Sequence, residues 1–151
     1  MHYIILAVIW VVASAIQIVL MKFPALETLL INFIVINIGI SALFAFVGHA
    51  FSPNKVAEYI GWPSGNPFQF EVAVTNLSLG ILAILCICFR GNFWIATVIV
   101  YSIFAFGAAY GHIREIIKNN NKSPGNAGPP LYIDIIKPLI VIGLLIAYLL
   151  I

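Results

Sequence analysis

The sequence predicts an all-α, polytopic transmembrane bundle of about five helices, and three observations lead there. Hydrophobic residues make up 63% of the 151-residue chain and charged residues only 8%, against ~25% charged in an ordinary soluble domain. The apolar residues gather in five runs close to the ~20 residues that cross a bilayer. Pro, Gly and Asn collect between those runs, where turns belong. With so few charges the chain has no polar surface to present to water, so its solvent is lipid. The net charge of +2 comes without a basic tail or an acidic run, which argues against nucleic acid as a partner.

The first predicted helix is 3–20. Ala13-Ser14-Ala15 within it resembles a cleavage site, but the leader Met1-His2-Tyr3 carries no Lys or Arg, so a membrane helix is expected rather than a signal peptide. The second, 29–51, carries Asn32, Asn37 and His49. The third, 68–89, has Glu71 near its start and Cys86 and Cys88 near its end. The fourth, 93–113, ends at His112, and the fifth, 131–151, has Asp134, Lys137 and Pro138 in its first turns. Together they form one integral membrane domain. The two cysteines are two apart and point to different helical faces, which suits structural thiols better than a shared metal. Asn32, Asn37 and Asn76 are expected to hydrogen-bond across helices.

Two connections are long. Pro53–Pro67 contains Val56–Trp62, a candidate interfacial helix because Trp and Tyr favour the headgroup level. Arg114–Pro130 is polar and rich in turn residues. The side with the N-terminus and both long loops holds Lys55, Arg114, Lys118 and Lys122, against Lys22 and Arg90 opposite. The excess places the N-terminus in the cytoplasm.

A shift of 63 residues aligns two halves of the chain without a gap. Gly48-His49 falls on Gly111-His112, Lys55 on Lys118, Gly65 on Gly128, Pro67 on Pro130, Gly80 on Gly143 and Leu82 on Leu145. Ala42 and Ala45 meet Ala105 and Ala108, and Glu71 meets Asp134. Helices two and three then form one hairpin and helices four and five a second copy of it, related by an axis along the membrane normal. The first helix is an addition to this repeat.

The repeat brings the ionisable residues to one membrane depth. His49, Glu71, His112, Glu115 and Asp134 are the candidate ligand or metal residues, with Asn66, Gln69, Tyr110, Arg114 and Lys137 in support. Ionisable side chains within a membrane usually face a bundle interior or cavity. Two His with two or three carboxylates are a plausible donor set for Zn, Fe or Mn. The single His112-x-x-Glu115 pair departs from the Glu-x-x-His pairs of di-iron bundles. A haem between His49 and His112 is the other cofactor reading, because two imidazoles at one depth suit one iron. In the plain alternative these groups satisfy one another where helices meet the interface, with Lys137 snorkelling or pairing with Asp134. A proton relay or a headgroup-like ligand site completes the options. Gly107 and Gly111 form a Gly-x-x-x-Gly stretch, expected to let helix backbones approach within the chain or between copies of it.

Soluble-enzyme motifs such as Gly-x-Ser-x-Gly, the P-loop and the dinucleotide fingerprint are absent. Phe44-Ala45-Phe46-Val47-Gly48-His49, Ala57–Pro63, and Glu71 through Leu79-Gly80-Ile81-Leu82 resemble the first half of DoxX-like membrane proteins, although His49 stands near where that family tends to carry Lys. The fuller pattern, with Gly111–Glu115 and Pro124–Pro129, is similar to a family of small bacterial and archaeal membrane proteins of unknown function. The DoxX resemblance covers Ser41 to the C-terminus and implies an association with quinone-linked redox complexes. The leading expectation is therefore an accessory or ligand-binding subunit of a membrane complex, or a homo-oligomer, embedded in the lipid bilayer. The alternatives are a small transporter or proton-coupled channel, and a metal-dependent membrane enzyme.

Overall fold

Backbone in lipid has no water to bond, so each apolar run closes its hydrogen bonds on itself as a helix. The computed structural model describes residues 2–151. Helix α1 is His2–Val19. Helix α2, Ala25–Asn32, continues through a π-helical segment, Phe33–Ile40, into α3, Ser41–Phe51. Then follow α4 (Pro53–Ile60), α5 (Phe68–Leu85), α6 (Asn92–Asn119), α7 (Pro124–Ala127) and α8 (Pro129–Leu149). Five stretches are long and apolar enough to cross a membrane: His2–Val19, Ala25–Phe51, Phe68–Leu85, Asn92–Asn119 and Pro124–Leu149. The protein is an integral, multi-pass, all-α membrane bundle.

The helix ends have local causes. The second span begins ahead of Leu29 because Pro24 starts it, its carbonyl taking the backbone N–H and hydroxyl of Thr28. Glu27 falls in the first turn, where the helix dipole favours an acid, and pairs with Arg90 from the α5–α6 turn. In the first half Pro53 interrupts the helix: α3 stops before it and α4 starts with it at the first helical position. Ile116 stands at the equivalent place in the second half. No proline intervenes, so α6 runs on to Asn119 and ends on Asn120 in the left-handed conformation, φ 50°.

The two halves pack as hairpins, α3 against α5 and α6 against α8. Leu30, Ile34, Ile38, Trp94, Val98 and Val141 form the shared core. Lipid is as apolar as these side chains, so fit rather than escape from water holds the helices together. The closest fit in the first hairpin is at Gly39 and Gly80: a Cβ on Gly39 would lie 3.3 Å from Ala83 Cβ, and one on Gly80 only 2.7 Å from Leu43 Cδ2. Helix α1 docks on α2 through polar contacts. Trp10 Nε1 donates to the Leu29 carbonyl at 3.0 Å, and Asn32 Nδ2 to Ser14 Oγ at 3.1 Å and Gln17 Oε1 at 2.9 Å. Asn32 thus bonds across helices as expected. Asn76 instead donates to Val72 within its own helix, and Asn37 engages through its backbone carbonyl. Cys86 is buried against Thr97 and Cys88 is exposed, as their two-residue spacing requires.

Candidate functional site: a cavity between the repeats

Because α3 leans on α5 and α6 on α8, a gap separates α3 from α6. It holds a cavity of about 640 Å³. On α3 its walls are Ser41, Phe44, Ala45, Gly48 and His49. On α6 they are Phe104, Gly107, Ala108, Gly111 and His112, together with Ile103. Each of the five α3 positions falls, after the 63-residue shift, on one of the α6 positions. Trp62 and its counterpart Gly125 also both line the cavity. This correspondence is what a duplicated hairpin would produce.

The small residues of α6 contribute differently from expectation. A Cβ built on Gly107 or Gly111 meets nothing within 4 Å, so within this chain they bring no backbone close. They leave room for the cavity. The near approach expected of Gly-x-x-x-Gly is made by Gly39, in the π-helical segment, and Gly80 instead, because that segment and α3 pack on α5.

Loops close one end. Asn121 Nδ2 donates to the Ile60 carbonyl at 3.0 Å, joining the end of α4 to the second long loop. Gly125 sits so tightly on Tyr59 that a Cβ there would approach the ring to 2.5 Å. Asn126, fully buried, is the keystone. Its Nδ2 donates to the carbonyls of His112 at 3.2 Å and Asn121 at 3.0 Å, and its Oδ1 stands 2.8 Å from His112 Nδ1.

These bonds assign the proton on His112. The two carbonyls require the amide nitrogen of Asn126, so its oxygen faces the imidazole, and Nδ1 must be the donor. In the neutral ring Nε2 is then an acceptor, and it faces Asp134 Oδ2 at 3.7 Å. That is too long for a direct hydrogen bond. Nε2 of His112 and the carboxyl of Asp134 thus face one space. In the first half, His49 Nδ1 lies 3.3 Å from Oε1 of buried Gln69. With that amide oxygen as acceptor, Nε2 of His49 is likewise left as an acceptor.

Of the five candidate residues, His49, His112 and Asp134 therefore meet at the cavity. Glu71 is exposed on α5 and does not line it, and Glu115 is turned to Asn119 Nδ2 at 2.9 Å. Among the supporting residues only Gln69 acts there, by holding His49. Asn66 Oδ1 accepts the Phe68 N–H at 2.9 Å ahead of α5, and Tyr110 and Arg114 face outward. Lys137 neither snorkels nor pairs with Asp134. It is buried, and its Nζ donates to the Asn37 carbonyl and to Ser41 Oγ, both at 2.7 Å, beneath the ring of Tyr3. The sequence reading missed His2, Tyr3, Tyr59 and Asn126. His2 was the one remaining histidine, and Asn126 lay inside a Pro-Gly-Asn-Ala-Gly-Pro run that reads as turn chemistry alone.

The donor sets expected for a cofactor fit poorly. Among the described residues no three of His, Cys, Asp and Glu come together as metal ligands. The bis-histidine haem reading gains nothing either, since the His112 nitrogen left for iron stands beside a carboxylate.

Residues 1–149 match the family model described as a family of unknown function, DUF6790. The chain belongs to that family. The DUF6790 match takes in α1 as well as the two hairpins, and His2 and Tyr3 of α1 line the cavity. The comparisons give no support to the DoxX resemblance or to the redox association it implied. Comparison with curated proteins and with solved structures returned no significant match.

Proposed function

We propose that this protein binds a small lipid-soluble molecule in the cavity between its two hairpins. The supporting observation is the cavity's construction: matched positions of α3 and α6 line it, loops close one end, and Phe44 and Ile103 on its flank are 56% and 69% exposed. A volume of about 640 Å³ lies within the ~300–1,000 Å³ of small-molecule sites. A ligand entering by that flank comes from the bilayer and sets its polar end beside His49, His112 and Asp134. The Lys/Arg balance of the loops supports placing the sealed end in the cytoplasm. Ligand binding is the part of the membrane-subunit reading that the cavity favours.

The experiment fills the cavity. Gly107→Leu and Ala108→Phe place side chains in it, and at Gly107 the added Cβ meets no atom within 4 Å. In nanodiscs, retention of lipid-soluble probes should fall at least tenfold while thermal stability stays within about 0.5 kcal/mol of the parent, as for substitutions that disturb no packing. Undiminished retention by a folded, filled variant refutes the proposal.

A further inference from the structure

The binding reading leaves the class of ligand open, and the chemistry of the walls narrows it. No Lys or Arg lines the cavity among the described residues, so a phosphate or carboxylate head would find no cation to receive it. Among the polar groups on the walls, Nε2 of His112 in its neutral tautomer and the carboxylate of Asp134 are acceptors that face each other. Around them stand the rings of Phe44, Tyr59, Trp62 and Phe104, while the ring of Tyr3 already meets the Lys137 ammonium. Aromatic faces attract cations, most strongly where water is excluded, and paired acceptors in an apolar surround need a donor between them.

The competing charge is Lys137, one helical turn from Asp134. Its ammonium is turned away, held by the Asn37 carbonyl and Ser41 Oγ, and it makes no ion pair with Asp134 within 4.0 Å. A cation in contact with the carboxylate lies nearer to Asp134 than to Lys137, and Coulomb attraction falls with distance, so attraction outweighs repulsion.

Resting on the binding reading above, we propose that the ligand is a lipophilic organic cation, such as a hydrophobic amine or quaternary onium, whose charge sits at Asp134 and His112 and whose apolar groups lie against the aromatic walls and the opening between α3 and α6. The test uses three probes of similar size and different charge: tetraphenylphosphonium, tetraphenylborate and neutral triphenylphosphine oxide. Each is dialysed to equilibrium against the full chain in nanodiscs of zwitterionic lipid, with empty nanodiscs as the blank. Tetraphenylphosphonium should be retained at least tenfold better than either other probe, and Asp134→Asn should remove that preference. Equal retention of all three by the unsubstituted protein overturns cation selection and leaves the binding reading standing. Retention of none of them overturns both. The comparison on the unsubstituted chain does not depend on how Asp134→Asn folds.

Discussion

Asn126→Ala isolates the keystone of the loop cap. The amide makes three hydrogen bonds, to His112 Nδ1 at 2.8 Å, the Asn121 carbonyl at 3.0 Å and the His112 carbonyl at 3.2 Å, and the residue is fully buried. Each such bond is worth about 1 kcal/mol net, and a buried partner left unpaired costs about 1–3 kcal/mol. The three bonds alone give ~3 kcal/mol at that rate. Water entering beside the shortened side chain recovers part of this for the His112 ring, so the expected loss is about 2–4 kcal/mol. Reversible unfolding in mixed micelles measures it. The substitution also releases the tautomer: without the Asn126 oxygen, the proton can move to Nε2, where it would face Asp134. Nitrogen-15 shifts of His112 should therefore pass from the Nδ1–H pattern toward a mixture of tautomers. A stability change below about 0.5 kcal/mol, the range of an ordinary surface substitution, together with unchanged ring shifts, would refute the cap as described.

Two further outcomes follow from the geometry of the repeat and its loops. Gly80→Ala sets a Cβ 2.7 Å from Leu43 Cδ2 and 3.3 Å from the Gly39 carbonyl, while its repeat partner Gly143→Ala meets nothing within 4 Å; the first should cost about 1–3 kcal/mol by overpacking and the second less than about 0.5 kcal/mol, read by the same unfolding assay. If the N-terminus is cytoplasmic, exposed Cys88 lies on the outer side, and a membrane-impermeant maleimide should label it in intact cells while buried Cys86 stays unlabelled until the protein is denatured; labelling of Cys88 only after the cells are opened would reverse the orientation.

The bundle was legible because hydropathy in lipid leaves helix as the one outcome. The walls of the site were legible through the repeat, since Gly48-His49 and Gly111-His112 mark equivalent helix ends. What sequence spacing could not carry was direction. Glu71 and Asp134 align, yet α5 presents Glu71 outward and α8 brings Asp134 to His112. Lys137 is three residues from Asp134, a spacing that suggests an ion pair, but the Asn37 carbonyl and Ser41 hydroxyl take its ammonium from another helix. Gly107 and Gly111 read as contact residues because nothing in one sequence distinguishes a glycine that admits a neighbouring backbone from one that leaves a space.

Matched and unmatched positions across the 63-residue shift do separate work in this molecule. The positions that match across the repeat, Ala45 with Ala108, Gly48 with Gly111 and His49 with His112, are small or shared, and they make two opposed walls with an open volume between them. Symmetry by itself would give the two histidines the same surroundings. The unmatched positions break that equality. Trp62 in one copy is Gly125 in the other, and Gly125 lets the second loop press onto Tyr59, which brings Asn126 under His112. Gln69 gives His49 a neutral partner, whereas His112 has both Asn126 and Asp134. One wall is therefore polar but uncharged, and the other carries the carboxylate. On the proposed binding reading, a ligand between them would meet a charged end and an uncharged one, and so should sit in a single orientation.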